Sequence, residues 1–162
     1  MNIRGGYVYA IGICAALFMW FPTIVDAAPT RTKMIDAWEI TCKTDEMTDV
    51  RYCLARNKTL LVGLGNETTG SITIIGAKPL YPGEPIALRI DTKRVHTTRR
   101  PPWTMTDYIL IVMELMDAKY ARTRHWEWPD KIAIDTEIDP KGFPAVWDYM
   151  RHEVGHPSVT KK

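Results

Sequence analysis

From Trp38 to Cys42 the apolar Trp38, Ile40 and Cys42 alternate with Glu39 and Thr41, the period-two pattern of a strand with one buried face. A polar turn, Thr44 to Asp49, separates it from a second strand region at Tyr52 to Leu64, with Asn57-Lys58 as an internal bend. Gly65 to Gly70 is a further turn, and Ser71-Ile72-Thr73-Ile74-Ile75 a third strand. After the Tyr81-Pro82-Gly83-Glu84-Pro85 turn, Ile86, Leu88 and Ile90 face one way and Ala87, Arg89 and Asp91 the other. Thr92 to Trp103 reads as a basic, proline-containing loop, and Ala28 to Lys33 as a loosely held polar segment.

The period then changes. Thr104 or Thr106 can cap a helix from Asp107 to about Lys119. Its segment Tyr108 to Met113 is apolar all round, a pattern that a strand shares; length, methionine content and the charges at Glu114 and Asp117 favour a largely buried helix. Two strands follow, Tyr120 to Trp128 and Lys131 to Asp139, the second with Ile132, Ile134 and Ile138 on one face. Pro140-Lys141-Gly142 breaks the pattern before a final helix in which Phe143, Val146, Trp147, Met150 and Val154 form one apolar stripe. The pattern predicts an α+β fold: a small antiparallel β-sheet or sandwich domain with two packed helices, the last at the C-terminus.

Ahead of these elements, residues 1–27 read as a cleaved signal peptide. Arg4 supplies the positive start, Tyr7 to Val25 the apolar run, and Val25-Asp26-Ala27 the cleavage site. A retained anchor is the alternative; lipid attachment at Cys14 fits less well, because Ile13 stands directly before it. Residues 28–162, about 135 residues, then make one β-rich domain of ordinary size with no stable membrane span. Cleavage leaves Cys42 and Cys53, which in an oxidising compartment have one intramolecular pairing, so a disulfide-closed hairpin is expected. A formal charge of +2 argues against nucleic acid as a partner, as does export.

Candidate chemistry is sparse. His152-Glu153-Val154-Gly155-His156 has the H-E-x-x-H spacing in which two histidines bind zinc and the glutamate activates a water. Three points weigh against it. The histidines fall on the side of the helix away from its apolar stripe. Pro157 disfavours the α conformation at His156. No His, Glu or Asp follows His156, so a third ligand, His96 or His125, would have to come through the fold. Arg122, Arg124, Trp126 and Trp128 alternate on one strand face and can hold a sugar or partner by stacking and cation–π contact; packing of the tryptophans under a helix is the other reading. The Lys93, Arg94, Arg99, Arg100 loop, with His96 inside it, suits an anionic surface or is a solvated loop. Asp45, Thr48 and Asp49 are better explained by turn chemistry than by calcium. Asn57-Lys58-Thr59 and Asn66-Glu67-Thr68 are glycosylation sequons in a eukaryotic context. No cofactor motif is found.

Trp38 four residues before Cys42, the second Cys53, the Arg89-Ile90-Asp91 strand end and Gly142-Phe143-Pro144-Ala145 opening the last helix resemble the invasion-associated locus B family. That family comprises small exported proteins of Gram-negative bacteria. Tyr81-Pro82-Gly83 and Trp128-Pro129 look similar to wider exported families. The chain departs from the family pattern in lacking a second cysteine pair. The resemblance implies a periplasmic β-rich domain with an interaction role at the envelope and assigns no catalytic residue. The sequence therefore points to an exported, non-enzymatic module binding an unidentified protein or envelope component. A zinc hydrolase and an envelope-glycan or anionic-surface binder are the alternatives.

Overall fold

The computed structural model describes residues 31–66 and 69–155. The signal and cleavage readings, Cys14, His156 and Glu67-Thr68 of the second sequon lie outside the described residues. Five strands, β1 (Arg31–Ile35), β2 (Trp38–Thr44), β3 (Arg51–Asn57), β4 (Leu60–Gly65) and β5 (Gly70–Ile74), form one antiparallel sheet in chain order. β6 (Ile86–Ile90), β7 (Val95–Thr98), β8 (Ala121–Glu127) and β9 (Ile132–Ile138) form a second, ordered β7-β6-β8-β9. Helix α1 (Met105–Met116) lies between β7 and β8 in the chain, and α2 (Phe143–Glu153) follows β9. The fold is α+β, as the hydrophobic pattern predicts.

One face of each sheet is buried. Trp38, Ile40, Ala55, Leu60, Val62 and Ile72 on the larger sheet join Leu88, Ile90 and Ala121 on the smaller in one cluster, each fully excluded from solvent. The helices complete it: Phe143 of α2 sits 5.1 Å from the Trp38 ring, and Ile111 and Leu115 of α1 are fully buried. Each such large apolar side chain contributes roughly 1.5–3 kcal/mol. Cys42 and Cys53 are directly opposite on β2 and β3, with their sulfurs bonded at 1.99 Å and both residues buried. The turn between them is closed by Asp45, whose carboxylate accepts from the Met47 and Thr48 amides and the Thr48 hydroxyl. The expected turn chemistry is therefore present.

Four expectations change. Arg31 to Lys33 are not loose: they begin β1, which pairs with β2 from Arg31↔Cys42 to Ile35↔Trp38. The bend at Asn57-Lys58 is a full reversal, with Lys58 at φ 50°, so one strand region is the β3–β4 hairpin. A continuous apolar run does not reveal such a turn, because both strands bury one face. The basic loop contains β7, which takes His96 into the core while Lys93, Arg94, Arg99 and Arg100 stay exposed. Finally, α1 is capped by Thr104 but is only half covered: Ile109 and Met113 are 51% and 65% exposed. The helix packs on β5 and α2, and a cylinder between two neighbours keeps one flank in water.

The two sheets are tied where the β3–β4 turn meets β8 and β9. The Thr59 and Thr123 hydroxyls hydrogen-bond at 2.7 Å, and Asn57 Nδ2 donates to the Asp139 carbonyl at 2.7 Å. Asn57 is buried, so the first sequon is spent on folding contacts. Among the described residues, no helix is long and apolar enough to cross a membrane.

Candidate functional site

Strand β8 sorts its side chains by parity. Ala121, Thr123 and His125 point into the core; Arg122, Arg124 and Trp126 point out. The strand register brings two residues of β6 to that outer face: Arg89 stands opposite Arg122, and Ala87 opposite Arg124. Val95 of β7 lies beside Arg89. Between these side chains runs an open groove of about 220 Å³, walled on its far side by Asp135 of β9. The helices pack mainly on the larger sheet and on each other, and Arg89, Arg122 and Arg124 on this face are exposed.

The face is electrostatically uneven. Arg124 makes a bidentate pair with Asp135 at 2.6 Å on both arms, and Arg122 pairs with Glu137 at 2.9 Å. The guanidinium hydrogen bonds hold both carboxyls below their ordinary range, and Tyr120 donates a second bond to Glu137. Exposed pairs of this kind are worth 0–1 kcal/mol, so their role is orientation more than stability. The Arg89 side chain has no ionic or hydrogen-bonding partner among the described residues.

The aromatic part of the predicted face divides. Trp126 is half-buried on the face itself. Trp128 lies past the strand end, joined to Pro129 by a cis peptide bond and 50% exposed, with its ring 5.3 Å from Tyr81. Among the described residues its aromatic partner is Tyr81. Arg89, Ala87 and Val95 were absent from the sequence-derived candidates. The Ile86–Ile90 alternation puts Ala87 and Arg89 on a polar face, but only the pairing register sets them against Arg122 and Arg124.

The H-E-x-x-H residues are placed differently. α2 ends at Glu153, with His152 exposed on its outer side. The Glu153 carboxylate accepts from Arg51 of β3 at 2.7 Å. The two candidate third ligands are sealed in the core with carboxylates of their own. His96 Nε2 lies 3.0 Å from Glu114 of α1, and His125 Nε2 lies 3.4 Å from Glu127. Glu127 also accepts from the Ala77 and Lys78 amides, which hold its carboxyl below the usual range. These pairs pin α1 to β7 and the 76–78 loop to β8. Among the described residues no three His, Cys, Asp or Glu side chains converge as a metal site.

A second uncovered groove, about 290 Å³, runs over the outer face of the larger sheet. Its floor is Tyr52, Leu54 and Leu61, with Glu39, Lys43 and Arg56 around it. It lacks the three-arginine concentration of the smaller sheet. Compared with protein-family models, curated proteins and solved structures, the chain matches none.

Proposed function

We propose that this protein is an exported, non-enzymatic binding module of the cell envelope, and that the outer face of its smaller sheet is the recognition surface. The resemblance to the invasion-associated locus B family belongs to the same proposal. The observation that carries it is the clustering of Arg89, Arg122 and Arg124 around one open groove, with Trp126 on the same face. Arginine forks and an aromatic edge suit anionic and sugar-bearing partners. The Cys42–Cys53 bridge supports export, because such bonds persist in oxidising compartments. The engagement of Glu153 by Arg51 supports the non-enzymatic reading over zinc hydrolysis: a glutamate held by a guanidinium is a poor base for a metal-bound water.

The test uses the full chain expressed in a Gram-negative host. It should appear in the periplasmic fraction with its N-terminus at Ala28, sediment with envelope fragments at low salt, and be released as salt rises. An Arg122→Gln, Arg124→Gln double variant should sediment less. Cytosolic recovery at full mass, or sedimentation indifferent to both salt and the double variant, would count against the reading.

A further inference from the structure

The outer face of the smaller sheet holds a charge imbalance that its own residues leave open. Arg89 and Arg122 are directly opposite on neighbouring strands, and like charges in that position destabilise a sheet. The acids that answer Arg122 and Arg124 both stand on β9, on the far side of β8 from Arg89. Beside Arg89 in the groove lining, Ala87 and Val95 offer no side-chain acceptor, and the Asp91 carboxylate two residues on is engaged by the Lys119 and Tyr120 amides. Three guanidinium groups therefore face two carboxylates, and the surplus charge sits on Arg89. Ala87 adds a second feature: a short side chain opposite Arg124 leaves the floor of the groove open where a longer one would fill it.

We infer that this groove binds a tetrahedral oxyanion of the phosphate class, with Arg89 as its principal ligand and Arg122 and Arg124 closing around it. The inference rests on the reading of this face as the recognition surface and narrows it to one chemical group. A phosphate group offers several oxygens to separate forks at once, so it can accept from Arg89 while Arg122 and Arg124 keep one arm on Glu137 and Asp135. Its charge also removes the Arg89–Arg122 repulsion. A carboxylate has two oxygens and one charge and answers one fork. Arginine at all three positions fits the same chemistry, since its planar donor array matches phosphate where lysine presents a point charge.

The full chain, purified as the host processes it, is titrated with inorganic pyrophosphate, inorganic phosphate and acetate at constant ionic strength. Binding is read by calorimetry and by Trp fluorescence. Phosphate and pyrophosphate should bind and acetate should not. Arg89→Gln should weaken pyrophosphate at least about fivefold, as loss of a charge-assisted fork predicts. Arg56→Gln, on the other sheet, should leave it unchanged, and circular dichroism should show both variants folded. Vesicles of phosphatidylglycerol against phosphatidylcholine distinguish the sources. Arg89-dependent binding to the former assigns a lipid headgroup; its absence beside phosphate binding assigns a free or sugar-linked phosphate. An equal response to acetate, or an Arg89→Gln protein that binds pyrophosphate as the parent does, overturns the inference. Envelope sedimentation that persists in Arg89→Gln overturns this site alone, whereas loss of sedimentation in the parent protein brings down the wider reading.

Discussion

Removing the Cys42–Cys53 bridge should cost about 3 kcal/mol. The sulfurs join residues 11 apart in sequence, and closing a loop of that length removes roughly 9 cal/mol/K from the unfolded chain, or about 3 kcal/mol at room temperature. Two local features adjust the figure in opposite directions. The Asp45-closed turn already restrains the same hairpin, which lowers the entropy left for the bridge to remove. Both cysteines are buried in the core, so Cys42→Ala with Cys53→Ala also removes packed sulfur and leaves a small void. The assay is urea unfolding followed by Trp fluorescence on the oxidised protein, the reduced protein and the double variant. The reduced and variant curves should shift to lower urea with a steeper slope, because an uncrosslinked chain exposes more surface. Thermal midpoints should fall by about 10 °C. A midpoint unmoved by reductant would refute the reasoning, as would two alkylatable thiols in the non-reduced native protein.

Other predictions follow from the core and the surface charges. Phe143→Ala, at a residue fully buried against Trp38 and Trp147, should cost about 3–5 kcal/mol in the same urea assay; a cost below 1 kcal/mol would mean α2 does not seal the sheet. Stability should fall on acidification. Asp45, Glu127, Asp135 and Glu137 all titrate below their ordinary values of 3.8 and 4.5 when folded, so the unfolded chain takes up protons first. Their contribution is complete above about pH 5, begins to drain as pH falls through the unfolded values, and is lost once it passes the folded ones. A flat stability profile from pH 6 to about pH 3 would contradict this. Protein purified without chelators should carry far less than one zinc per chain, and His152→Ala should not change the metal content. Stoichiometric zinc that disappears in that variant would restore the hydrolase reading.

What was legible in the chain was its local periodicity. The Trp38–Cys42 and Ile86–Ile90 alternations, the apolar stripe of α2 and the cysteine pair all appear where expected, because each is dictated by side chains within a few residues. β1 and β7 escaped notice for a shared reason. Both are short edge strands rich in polar residues, and their hydrogen bonds come from a neighbour that the local sequence does not contain. The same limit hid half of the candidate site. The Arg122, Arg124 and Trp126 parity is visible in β8, but Arg89 reaches that face through a register set 33 positions away.

By itself, then, the sequence determined which faces are apolar, where both helices and the regularly alternating strands lie, and that Cys42 and Cys53 stand on neighbouring strands. It did so because hydrophobic periodicity and turn chemistry act over a few bonds. Tertiary structure alone decided that Glu153 belongs to Arg51, that His96 and His125 are sealed beside Glu114 and Glu127, and that three arginines share one groove. Those outcomes depend on strand register and on which element packs over which face, quantities fixed by the summed burial of the whole core and carried by no single segment of the chain.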